Sequence, residues 1–105
     1  MTSQEGFSKD LNEIMQFPEE GIFSTVLAKS DNANYTLMCL SAGTDIETHT
    51  STRSGTVYVL KGTGTFRLYD EDIQLEPGVF IYMPANAPHS IRAGEDLAVL
   101  LSLTD

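Results

Sequence analysis

Cysteine occurs once in this chain of 105 residues, at Cys39. That excludes an intrachain disulfide, and nothing asks for an oxidising compartment; a buried structural thiol is the expected role. Basic residues are scarce too, since six lysines and arginines against fifteen acidic residues give a formal charge of -9. Nucleic acid is thereby disfavoured as a partner, because neutralising phosphates takes a clustered basic face, and Lys29, Arg53, Lys61, Arg67 and Arg92 are scattered. The acidity reads as a solvated surface that keeps a small protein soluble. Long hydrophobic runs are missing as well. The longest, Leu97 to Leu101, is far too short to span a bilayer, and Met1 to Met15 lack the basic start and apolar run of a signal peptide. The expectation is a cytoplasmic protein with no membrane partner. Nor is there a nucleophile elbow, a glycine-rich phosphate loop, a Cys-x-x-Cys pair or a metalloprotease helix, which disfavours covalent and nucleotide chemistry.

What is present is a succession of short apolar runs split by turn residues. They are Ile22 to Ala28, Tyr35 to Leu40, Thr56 to Leu60, Thr65 to Tyr69, Ile73 to Leu75, Val79 to Met83, His89 to Ile91 and Leu97 to Leu103. This spacing predicts an all-β sandwich or barrel. Asp31-Asn32-Ala33-Asn34 is hairpin material, Lys61-Gly62-Thr63-Gly64 supplies positions for positive φ, and Glu76-Pro77-Gly78 reads as a type II turn with Pro77 presetting φ. Asp70-Glu71-Asp72 reads as a solvated loop. Residues 1–20 form an N-terminal arm in which Asp10 to Met15 can make a helical turn, and residues 21–105 form one barrel domain.

Only two histidines occur, His49 and His89. Alternate residues of a strand share a face, so His89, with Ile91 beside it and Ser90 and Arg92 opposite, points into the core. Phe66 and Leu68 opposing Arg67, and Ile73 and Leu75 opposing Gln74, give further inner faces. His49 has Glu47 and Ser51 at i−2 and i+2; an inward polar face of this kind needs water, a ligand or a metal to satisfy it, whereas a loop histidine in solvent needs none of these. Arg53 shares that parity and can pair with Glu47 or clamp a carboxylate ligand. Tyr58, Phe66, Tyr69, Phe80 and Tyr82 are expected in the core or at a dimer interface, with Met38 and Met83 as adaptable core fillers.

The spacing around both histidines resembles the two motifs of the cupin barrels. Gly43, His49 and Gly62 fit the first, G-x5-H-x-H-x3-E-x6-G, while Ser51 stands at its second histidine and Gly55 at its glutamate. Gly78, Pro84 and His89 fit the second, G-x5-P-x-G-x2-H-x3-N, with Asn86 at its glycine and Ala93 at its asparagine. The resemblance runs from about Gly21 to Leu103. It implies a single cupin-type β-barrel or jelly roll of two antiparallel sheets, often dimeric, with the arm packed on a partner subunit.

Two functions follow from the resemblance. One is a cavity lined by His49, Ser51, Gly55, Val57, Phe66 and His89, holding a small organic molecule in the volume that the missing glutamate leaves beside Val57 and Val59. The other is a metal-dependent enzyme of dioxygenase or isomerase type, in which His49 and His89 hold zinc, iron, nickel or manganese. Stable sites for such ions supply three or four donors, and Glu47 is the candidate third ligand.

Overall fold

The computed structural model describes residues 5–104; residues 1–4 of the expected arm and residue 105 lie outside them. A single helical turn, α1 (Leu11–Ile14), is followed by β1 (Ile22–Lys29), β2 (Ala33–Leu40), β3 (Asp45–His49), β4 (Ser54–Lys61), β5 (Gly64–Leu68), β6 (Glu71–Leu75), β7 (Phe80–Met83), β8 (His89–Ala93) and β9 (Leu97–Thr104). They form two antiparallel sheets, one ordered β1-β2-β9-β4-β7 and the other β3-β8-β5-β6. This is the expected jelly roll of two sheets.

Period-2 patterning places the core between the sheets. Along β4, Gly55, Val57 and Val59 are buried while Tyr58 is exposed; along β7, Ile81 and Met83 are buried while Phe80 and Tyr82 are exposed. Leu40, Phe66, Leu75, Ile91, Leu97 and Val99 complete the interior. The Glu76-Pro77-Gly78 turn forms as expected, with Gly78 at φ 97° and the Val79 amide donating to the Glu76 carbonyl at 3.1 Å.

One strand was not foreseen. Among the residues of β3 only Ile46 is apolar, so Asp45–His49 carries no run of the kind that announces the other eight strands. The charged segment Glu71-Asp72 likewise belongs to β6 rather than to a loop, with Asp72 paired to Arg67 at 3.2 Å.

The arm also departs from expectation, because it packs on its own barrel. Asp10 caps α1 by accepting from the Asn12 amide at 2.9 Å. Past the cap, Ile14, Met15 and Phe17 lie on the outer face of the five-stranded sheet against Leu37, Cys39 and Ala98, with Leu27 and Leu60 alongside. Three side chains that the sheet pattern would leave on its outside thus become fully buried, and a small domain gains a second core. Cys39 is the buried thiol expected, and burial pushes its pKa up.

The two outer faces differ sharply. On the four-stranded sheet, Asp45, Arg92, Arg67 and Asp72 form exposed ion pairs. The outward register positions of the five-stranded sheet across β2, β9, β4 and β7 carry a single charge, Lys61 opposite Ala98, whose Nζ lies 5.5 Å from the centroid of the arm's Phe17 ring. Beyond the arm's footprint they present Tyr35, Tyr58, Phe80 and Tyr82, all exposed. Tyr69 is exposed as well, so of the five aromatics singled out from the sequence only Phe66 is core.

Candidate functional site: an interior cavity with two imidazoles

Between the sheets lies a cavity of about 260 Å³ lined by Met38, Ile46, His49, Val57, Phe66, His89, Ile91, Val99 and Leu101. β3 and β8 bring the histidines together. In their register Ile46 faces Ile91 and His49 faces His89, three residues on β3 matching two on β8, which marks a β-bulge between Ile46 and His49. The extra residue lets Ile46 and His49 both look inward although their numbers differ by an odd step.

The imidazole centroids are 4.2 Å apart at an interplanar angle of 61°. Each ring is tethered the same way: Nδ1 donates to the carbonyl two residues earlier, Glu47 for His49 and Ala87 for His89, both at 2.9 Å. A carbonyl only accepts, so the hydrogen sits on Nδ1 and the neutral ring keeps a bare Nε2. Phe66 stacks on His89 with centroids 5.8 Å apart and planes within 3°. His89 is only 9% exposed, whereas His49 is exposed and lies at the cavity mouth. Burial holds the His89 pKa below its ordinary value; the Ala87 carbonyl opposes the shift and the neighbouring His49 adds to it.

Of the residues expected here from the sequence, His49, Val57, Phe66 and His89 line the cavity. Ser51, Gly55 and Glu47 do not. Ser51 sits in the β3–β4 loop, where its Oγ accepts from the Arg53 amide at 3.1 Å and its carbonyl from the Asn86 amide at 2.7 Å, joining that loop to the turn before β8. The volume expected at Gly55 is taken: a Cβ there would meet Leu103 Cδ2 and the Ser102 carbonyl oxygen at 2.7 Å. Strand β9 has closed over the position of the missing glutamate. The bulge breaks the parity that put Glu47 beside His49, and Glu47 instead borders a groove on the outer face of the four-stranded sheet with Asp45, Arg67, Asp72 and Arg92. Arg53 Nη2 donates to the Asp31 carbonyl at 3.1 Å.

Met38, Ile46, Ile91, Val99 and Leu101 were not foreseen as cavity residues. The inward parity of Ile91 with His89 is a usable signal for one of them, and the core-filling role expected of Met38 places it at the same interior.

Toward a zinc, iron, nickel or manganese ion the described residues of the cavity offer the two imidazoles of His49 and His89, short of a full set of protein donors. No cluster of three or more histidine, cysteine, aspartate or glutamate side chains suited to a metal exists among the described residues, and such sites need three or four donors.

A model of the cupin domain matches residues 36–104, more than half of the chain. The chain therefore belongs to the cupin family, whose members often bind metals. The fold is similar to that of a conserved protein of unknown function from Streptococcus pyogenes (TM-score 0.87, 24% identity, covering 100% of this chain and 96% of that one). It is also similar to a cupin superfamily protein from Desulfitobacterium hafniense (TM-score 0.86, 20% identity, 97% of this chain and 94% of that one). A further likeness is to a salicylate 1,2-dioxygenase from Pseudoaminobacter salicylatoxidans (TM-score 0.75, 20% identity, 80% of this chain and 26% of that one). At these identities the likeness is one of fold. None of the curated proteins matches the sequence. Among the described residues no helix is long and apolar enough to cross a membrane.

Proposed function

We propose that this cupin barrel is a binding protein whose cavity holds a small organic molecule without a metal. The observation that carries the reading is the cavity's composition: two tethered imidazoles converge in an otherwise apolar chamber that no lysine, arginine, aspartate or glutamate lines among the described residues. Apolar walls with a few placed polar groups are the usual build of a small-molecule site. The test is a thermal-shift and ligand-observed NMR screen of small organic molecules on metal-stripped protein, beside a Val57→Phe variant that fills the chamber. Hits that vanish in the variant support the reading; hits that persist in it, or none at all, count against it.

A second reading keeps the dioxygenase or isomerase type of chemistry, with His49 and His89 as metal ligands. The converging imidazoles and the fold shared with the salicylate dioxygenase favour it; the lack of a third donor among the described residues weighs against it.

We also propose that the protein is a cytoplasmic homodimer paired through Tyr35, Tyr58, Phe80 and Tyr82. The lone buried thiol suits a reducing compartment. In a chain of charge -9, two copies repel wherever acidic surface meets, and this aromatic, uncharged face has the composition of an interface core.

A further inference from the structure

The hydrogen-bonding capacity of the cavity wall limits what can occupy it. Both Nδ1 atoms are spent on backbone carbonyls, so a neutral His49 or His89 offers the chamber only an Nε2 lone pair. The remaining lining, Met38, Ile46, Val57, Phe66, Ile91, Val99 and Leu101, holds no side-chain donor. Nε2 of His89 has no hydrogen-bond partner among the described residues, and it is not sealed in, since no buried side-chain nitrogen or oxygen there lacks a partner. It is aimed from two sides, by the Ala87 tether and by the Phe66 stack.

Ligand classes can be compared on this wall. An anion would meet lone pairs and no donor. A cation would give up its hydration with no opposite charge in the lining. A purely apolar molecule would strip water from Nε2 and leave it unpaired, which a buried acceptor resists. A neutral molecule with one donor satisfies the acceptor and buries the rest of its surface against aliphatic walls. The size suits a single ring, because an apolar cavity of roughly 150 Å³ takes benzene and this one is about 260 Å³.

Building on the reading that the cavity holds an organic molecule, we propose that its ligand is a neutral single-ring aryl hydroxyl compound. Its O–H is donated to His89 Nε2 and its ring lies against Val57, Ile91, Val99 and Leu101. His49, at the mouth, stands over the entering ring and supplies a second acceptor for a further hydroxyl.

The experiment is a pair of titrations on metal-stripped protein followed by two-dimensional NMR, with phenol as the donor probe and anisole as the same ring with its donor methylated. Benzoate serves as the anionic control. Phenol is expected to shift the amides of Val57, His89, Ile91 and Leu101 and to bind at least about tenfold more tightly than anisole. In His89→Phe that preference disappears. Equal affinity for phenol and anisole in the native chain, or tighter binding of benzoate than of phenol, overturns the donor assignment while leaving an organic-ligand cavity standing. No shift at the cavity residues with any of the three overturns the cavity reading and this inference with it. The native-chain comparison decides the matter even where His89→Phe fails to fold.

Discussion

His49 and His89 face each other directly across the β3–β8 ladder, and the bulge that precedes His49 is what makes them meet. Were β3 regular, the residues facing inward beside Ile46 would be Thr44 and Thr48, and His49 would turn out to solvent. The bulge is therefore the feature that converts a polar edge strand into one wall of a binding chamber.

Protonation of His89 should cost stability. Its pKa is held below the ordinary 6.5 mainly by burial, so as pH falls below that value the unfolded chain takes up the proton before the folded one does. Stability from this group is complete above the ordinary value and is lost as pH drops through the folded value. The groups near the ring are His49 from β3 and, on the outer side, Arg67, Tyr69 and Asp70. Urea denaturation at pH 7.5 and 5.5 should show a larger loss for the native chain than for His89→Phe. Equal losses would show that other groups carry the dependence.

Asn86 occupies the left-handed region, φ 68°, at the third position of a turn in which the Ala87 amide donates to the Pro84 carbonyl at 3.2 Å. Asparagine tolerates that region better than most residues, and alanine does not. Asn86→Ala should lose about 1 kcal/mol of unfolding free energy, while Asn86→Gly should be neutral or slightly stabilising. The paired denaturation curves check both signs.

Gly55→Ala should destabilise the barrel by roughly 1–3 kcal/mol, the usual range for overpacking, because the new methyl meets a backbone carbonyl on β9 as well as Leu103. Leu103 can give way and the carbonyl cannot without disturbing the ladder. A neutral outcome in chemical denaturation would contradict this close approach of β9 to Gly55.

Phe17→Ala should weaken the seal over Cys39. Half-burial of the ring makes the loss roughly 1–2 kcal/mol, and the Cys39 thiol, buried in the native chain with its pKa pushed up, should become more reactive toward a thiol-specific reagent. Reactivity that depends on protein concentration would indicate an arm lying on a partner instead.

A Tyr58→Glu, Phe80→Glu double variant should sediment as a monomer where the native chain sediments as a dimer, since it sets four carboxylates against one another in a symmetric contact. A native chain that is monomeric at micromolar concentration would remove the proposed pairing.

Much of the barrel was legible because its strands are apolar runs with period-2 faces: Phe66 against Arg67 and Ile73 against Gln74 point as the pattern says. β3 was not, because Asp45–His49 holds one apolar residue and a bulge has no sequence signature in so short a strand. The same bulge defeated the parity argument for Glu47. At Gly55 the error was different in kind. A missing side chain was read as empty space, but a sheet can close over a glycine, and strand β9 does so. The arm's place was hidden because Leu37, Cys39 and Ala98 read as ordinary strand residues until something covers them.

The most direct test of the account is the metal content of protein purified without an affinity tag or chelator, measured by elemental mass spectrometry before and after exposure to zinc, iron, nickel and manganese. A cavity with two imidazoles and no third protein donor among the described residues should carry no stoichiometric metal in either state. About one metal per chain, lost in a His49→Ala, His89→Ala double variant, would contradict it.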